Sequence, residues 1–155
     1  MTPAVTAARQ AGVAVQIHAF AHGGSDERGY GLEAAAAMGV EAARVFKTLV
    51  VAADGALAVA IVPVDRSCDL KAVAAAVGAK RATMAEPRDA ERATGYVVGG
   101  ISPLGQKRRL ATVVDASAQG YATVFVSAGR RGLELELTPA DLLTLTGAVV
   151  APIAT

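Results

Sequence analysis

Tryptophan is absent from this 155-residue chain and the aromatics together make up 4%, so any interior has to be built from small and branched aliphatic side chains. Cysteine occurs once, at Cys68, which excludes an internal disulfide and leaves no CxxC partner for metal or redox chemistry. An excess of one charge is missing too. Fifteen basic residues stand against 14 acidic ones, and a net charge of +1 gives no global field to draw the protein onto nucleic acid. Any contact with RNA is therefore expected to be local. No stretch approaches the ~18 uninterrupted apolar residues of a membrane helix, because Asp54, Asp65 and Arg66 punctuate the most apolar part. No charged start precedes a long apolar run, so the cytoplasm is the expected location, with no membrane contact. The GxSxG elbow, the GxxxxGK(S/T) phosphate loop and the GxGxxG fingerprint are all lacking, which removes the anchors of ordinary serine hydrolases, nucleotidases and dinucleotide enzymes.

What the chain does have is 53% hydrophobic content, enough for one core, in a length that predicts a single domain over residues 1–155. Thr2-Pro3 predicts a helix start, with Gly12 beyond its end. Val13 to Phe20 reads as a strand, and Ala21 to Gly31, with four glycines and three charges, as a mobile loop. Leu32 to Met38 favours helix, stopped by Gly39, and Glu41 to Arg44 adds a turn. The β-branched runs Val45 to Ala52 and Leu57 to Val62, joined by the hairpin signal Asp54-Gly55, predict two antiparallel core strands. Asp65 to Ser67 starts a helix over Leu70 to Val77 that Gly78 ends, and Arg81 to Met84 is a short strand. Pro87 opens a helix through Thr94, closed by Gly95. Strands at Leu110 to Asp115, Thr123 to Ser127 and Leu133 to Leu137 precede a last helix from Thr138-Pro139 to about Thr146. Helices interspersed with hairpin-connected strands predict an α+β domain with a mixed or largely antiparallel sheet.

Two features carry chemistry. Lys47 lies inside an apolar strand, where a charge is costly unless it reaches water or a partner. It is either an edge lysine that snorkels into solvent or a ligand for a phosphate or carboxylate. The second feature is the loop Gly99-Gly100-Ile101-Ser102-Pro103. Paired glycines let a backbone approach a ligand closely, and exposed N–H groups there can bind a carbonyl oxygen, a phosphate or a ribose hydroxyl. A tight structural turn is the alternative. Lys107-Arg108-Arg109 follows as a local anion site or as solvated surface charge. His18 and His22 lie ~13 Å apart on an extended segment and lack an evident third ligand, so no metal is expected. Cys68, near a helix start, leaves open a thiol hydrolase or a plain loop residue.

Together these pieces resemble the YbaK/EbsC family of Cys-tRNA(Pro) deacylases, kin to the editing domain inserted in many bacterial prolyl-tRNA synthetases. The resemblance rests on Met1-Thr2-Pro3-Ala4-Val5, Val45-Phe46-Lys47-Thr48-Leu49, Ala85 to Pro87, the block Thr94 to Leu110, and Arg131-Gly132-Leu133-Glu134. It spans nearly the full chain in order. It implies a compact α+β domain with a curved, barrel-like mixed sheet flanked by helices, and a cleft for the aminoacylated 3′ end of a tRNA. Lys47 matches the family's strand lysine, and Gly99 to Pro103 matches its GxxxP loop, including Gly100, Ile101 and Ser102. Glu134 stands where an aspartate tied to substrate binding is expected, Phe20 where a tyrosine is common, and Tyr30 near an aromatic position of the mobile loop.

Hydrolysis of an aminoacyl ester needs a nucleophile, stabilisation of the carbonyl oxygen and protonation of the leaving ribose oxygen. The sequence offers no triad. The resemblance implies substrate-assisted cleavage, in which the terminal ribose hydroxyl and the cysteine's own thiol take part, with Lys47, Gly99 and Gly100 placing the ester and no cofactor needed. With a net charge of +1, weak tRNA selection and a transient complex with prolyl-tRNA synthetase are expected. The alternatives are a deacylase for alanyl- or other misacylated tRNA, and a non-catalytic module that binds tRNA or a synthetase.

Overall fold

The computed structural model describes residues 1–23 and 27–155. Helix α1 (Pro3–Gln10) starts as its sequence predicts: Thr2 caps it by accepting the Val5 N–H, with Pro3 at the first helical position. Strand β1 (Gln16–Ala19) is shorter than the run Val13 to Phe20, although the Phe20 N–H still donates to Gly132 O. Helix α2 (Glu27–Met38) begins well inside the segment expected as a mobile loop. Tyr30 and Gly31 are therefore helical, and the part of that loop at 24–26 lies outside the described residues. The low helix propensity of glycine is overridden by packing, since α2 runs so close to the turn after β3 that a Cβ on Gly31 would sit 2.5 Å from Val64 Cγ1. A 3-10 turn at Ala42–Arg44 follows.

Strands β2 (Phe46–Ala53) and β3 (Ala56–Pro63) form the expected hairpin. Its turn has Asp54 at φ 48° and Gly55 at φ 84°, the left-handed pair that matches the twist of the strands. Helix α3 (Leu70–Ala76) is capped by Asp69, a little beyond the expected start. Next come β4 (Ala82–Met84), α4 (Pro87–Thr94), closed by Gly95, and β5 (Ala111–Asp115). Strands β6 (Val124–Arg130) and β7 (Leu133–Leu137) precede α5 (Pro139–Thr146), which Thr138 caps. A last short strand, β8 (Val149–Ala151), was not anticipated.

The fold is α+β with mixed pairing, as expected. The strands form two sheets, in the order β1-β7-β6 and β4-β2-β3-β5-β8, and β3-β5 and β5-β8 are the parallel pairs. The strands do not close into a barrel. A single parallel bridge, Val45 to Phe125, joins the start of β2 to β6, and the short strands β4 and β8 stay at the edges of the larger sheet. The main core lies between the sheets, where Phe46, Val50, Val59 and Ile61 meet Val124, Val126, Leu135 and Leu137. The opposite face of β2 and β3 is covered by α3, through Val51, Val62 and Val73, and α2 packs over Val45, Val64 and Phe125 through Ala35. Among the described residues no helix is long and apolar enough to cross a membrane.

Candidate functional site

Strand β4 pairs with β2 only along Val51, Ala52 and Ala53. Ahead of that point, no other described strand continues this pairing along Phe46 to Leu49, and a cavity of about 650 Å³ runs along the edge. Its walls come from β2, the Ser67-Cys68 turn, the start of α4, the glycine loop, α2 and the second sheet. Because side chains alternate along a strand, β2 offers it both faces: Lys47 with Leu49 on one, Thr48 with Phe46 and Val50 on the other.

The cavity brings together Lys47, Tyr30, Gly99, Ile101 and Glu134 of the residues singled out in the sequence. Lys47 is half-buried. It lies near enough to Cys68 to favour the thiolate, yet burial outweighs it and the Cys68 thiol is pushed above its ordinary value. That suits a wall residue better than a nucleophile.

The loop after α4 divides into a part that faces the cavity and a part that holds the loop in place. Gly99 has φ 97°, and a Cβ there would lie 2.8 Å from Arg131 Nε. Gly100 turns the other way. Its N–H donates to Val97 O at 2.9 Å, its carbonyl accepts from Ser127 Oγ at 3.1 Å, and a Cβ would meet Arg130 Cα at 2.9 Å. Glycine is needed at Gly100 so that the loop can lie against the β6–β7 hairpin. Ser102 is fully buried, with Oγ accepting the Leu104 N–H, and Pro103 is buried beside it. Gly100, Ser102 and Pro103 thus do not line the cavity. Glu91 adds a support that sequence reasoning missed, accepting the Val98 N–H at 2.8 Å. The exposed Lys107, Arg108 and Arg109 do not line the cavity either.

Tyr30 links α2 to the second sheet. Its hydroxyl accepts the Gly132 N–H at 2.8 Å and donates to Glu134, and burial, then the Glu134 charge, pushes its pKa up to about 12. Phe20 stacks on its ring at 6.4 Å and the Arg131 guanidinium sits 5.1 Å from it, so Phe20 supports the wall from behind. Glu134 is 3% exposed, and burial pushes its carboxyl up to about 8 against the partial relief of the Tyr30 hydrogen bond. Its Oε2 has no hydrogen-bond partner among the described residues, and the other such atom is Thr48 Oγ1. Both residues line the cavity. An orphaned buried polar atom costs roughly 1–3 kcal/mol, so the unmet polar capacity of the interior is concentrated at this site. Thr48 and Ser127 were not foreseen as wall residues. Thr48 adjoins Lys47, but only the open edge of β2 makes that position matter.

His18 is turned to Glu136 at 2.9 Å, and His22 packs edge-on against Tyr30 at 6.1 Å. Among the described residues no group of three or more His, Cys, Asp or Glu could hold a metal ion.

Two solved structures share this architecture over almost the whole chain. One, a crystal structure of a hypothetical protein, has a TM-score of 0.88 at 26% identity, covering 99% of this chain and 100% of that one. The other is described as a "putative trans-editing enzyme for prolyl tRNA synthetase", with a TM-score of 0.83 at 26% identity, covering 100% of this chain and 99% of that one. An Enterococcus faecalis protein named "Putative Cys-tRNA(Pro)/Cys-tRNA(Cys) deacylase EbsC" is 41% identical over 122 residues, covering 78% of this chain and 74% of that one. The fold is thus that of a small α+β domain of the editing type. Residues 29–145 match the aminoacyl-tRNA editing domain, and the chain belongs to that family.

Proposed function

We propose that the protein is a trans-editing deacylase that hydrolyses the ester of misacylated tRNA, with Cys-tRNA(Pro) as its substrate and prolyl-tRNA synthetase as a transient partner. The observation that carries this reading is the convergence of Lys47, Gly99, Ile101, Tyr30 and Glu134 on one cavity in a chain of the editing family. A volume of about 650 Å³ suits an aminoacyl group together with part of the terminal nucleoside.

In this reading Lys47 orients the phosphate or ribose end from a rigid strand. The Gly99 N–H is the loop donor for the carbonyl oxygen, since the Gly100 N–H is engaged by Val97. Gly100, Ser102 and Pro103 act by holding the loop, and Phe20 by backing Tyr30. The walls supply no activated nucleophile. The Ser127 hydroxyl is engaged with Gly100 O, and the Cys68 thiol is held in its protonated form by burial. The substrate therefore supplies what the walls lack: its ribose hydroxyl takes a proton from an attacking water and relays it to the leaving ribose oxygen, or the cysteine thiol displaces that oxygen, giving it the thiol proton, and water opens the resulting thiolactone. The protein contributes placement and stabilisation of the carbonyl oxygen.

The test is a panel of cysteinyl-, alanyl-, seryl- and prolyl-tRNA(Pro), assayed with and without prolyl-tRNA synthetase. Cysteinyl-tRNA(Pro) is expected to be cleaved fastest, with the synthetase sharpening the choice of tRNA. Faster cleavage of alanyl-tRNA(Pro) would overturn the specificity, and binding without turnover on every substrate would make the protein a non-catalytic module.

A further inference from the structure

Two buried carboxyls in this chain have opposite surroundings. Asp115 accepts four hydrogen bonds, from the Ser117 N–H and hydroxyl and from the N–H groups of Ile153 and Ala154. Those donors hold it below the ordinary carboxylate range even though burial pushes the other way. Glu134 is as closed to solvent but packed more deeply inside the protein, with the Tyr30 hydroxyl on one oxygen and no hydrogen-bond partner for Oε2 among the described residues. A buried carboxylate persists when several donors share its charge. One that lacks them keeps its proton. With one oxygen accepting from Tyr30, the proton of a neutral Glu134 belongs on Oε2, the orphaned, buried atom of a side chain that lines the cavity.

We propose that Glu134 meets the substrate as a neutral hydrogen-bond donor, its Oε2–H directed to an uncharged oxygen of the aminoacyl-ribose ester, rather than as an anion that receives the α-ammonium group. This rests on the deacylase reading and adds to it a defined role for Glu134. The Tyr30 hydroxyl, fixed by Gly132, sets the direction of the carboxyl, so Tyr30 is a positioning residue. The charged and titratable groups that share the cavity lining with Glu134 are Tyr30 from α2, Lys47 from β2 and Cys68 from the turn before α3, and Arg131 lies over the Tyr30 ring. His18 pairs opposite Glu134 on β1 but is turned to Glu136. The pKa of about 8 at Glu134 agrees with the donor form at neutral pH.

The pH profile of kcat/KM for cysteinyl-tRNA(Pro), corrected for spontaneous hydrolysis, separates donor from anion in wild type, Glu134→Gln and Glu134→Ala. Each variant is first matched to wild type by thermal melting. A donor predicts that wild-type activity falls as pH rises through about 8. Glu134→Ala should lose about 10²-fold, and Glu134→Gln, whose amide still donates, should recover most of that loss and lack the alkaline fall. An anion predicts the reverse: activity that rises through the same range and a Glu134→Gln protein as poor as Glu134→Ala, which would overturn the proposal. An infrared difference spectrum at pH 7 supplies a reading independent of turnover. A protonated carboxyl band that disappears in Glu134→Gln supports the donor, and its absence from wild type overturns it. A wild-type protein that cleaves no aminoacyl-tRNA yet shows that band would sink the deacylase reading and the substrate role, leaving the neutral carboxyl in place.

Discussion

Ser127 Oγ donates to Gly100 O across 3.1 Å, fastening the glycine loop to β6 at the cavity wall. The loop's two glycines consequently have different duties. Gly100→Ala would drive a Cβ to 2.9 Å from Arg130 Cα, which is backbone and cannot step aside, so a loss of about 1–3 kcal/mol is expected in chemical denaturation. Gly99→Ala meets the flexible end of Arg131 instead, in a left-handed conformation. It should cost about 1 kcal/mol and lower deacylation more than stability. Equal stability losses in the two variants would contradict this division.

Cys68 offers a second prediction. It lines the cavity, so alkylation obstructs the site whatever its chemical role, and a blocked enzyme says nothing about nucleophilicity. Cys68→Ser removes the thiol while keeping the shape. Deacylation by that variant should stay within about threefold of wild type, whereas a thiol hydrolase would be abolished.

Stability should respond to pH in opposite senses at the two buried carboxyls. Glu134 is raised from 4.5 to about 8, so the folded state holds a proton that the unfolded state releases. That contribution is complete below the unfolded value and is lost as pH rises through about 8. Asp115 is lowered from 3.8, so its contribution is present above that value and is lost as pH falls through the folded value. Melting curves from acid to alkaline pH should show Glu134→Gln flattening the decline between 4.5 and about 8. A Glu134→Gln protein with an unchanged slope over that range would contradict the assignment.

Asp115 also ties the C-terminal segment to β5 through Ile153 and Ala154. Asp115→Ala leaves the buried Ile153 N–H and the part-buried Ala154 N–H without their acceptor and should destabilise by roughly 3 kcal/mol, measured by urea denaturation at neutral pH. A change under half that size would show that the segment is held by the packing of Ile153 instead.

Local chemistry made much of the fold legible. Thr2 and Thr138 cap helices where they were expected, and Asp54-Gly55 makes the turn its sequence prescribes. What escaped depends on distant contacts. The first turns of α2 contain Gly29 and Gly31 and read as loop, because the close packing of Gly31 on Val64 is invisible locally. β8 is three residues long and exists by pairing with β5, far earlier in the chain. For the site, Lys47 and the glycine loop stood out as a charge in an apolar strand and a glycine pair. The division within Gly99 to Pro103 was not readable, because it is set by Ser127 and Arg130. Nor was the raised pKa of Glu134, which burial creates against the partial relief of the Tyr30 hydrogen bond.

The central claim is that Lys47 places the ester of a misacylated tRNA in the cavity beside β2. Single-turnover deacylation of cysteinyl-tRNA(Pro) by wild type and by a Lys47→Ala protein of matched melting temperature tests it most directly. The account predicts hydrolysis by wild type and a loss of about 10²-fold in the variant; a Lys47→Ala protein that cleaves at the full rate would contradict it.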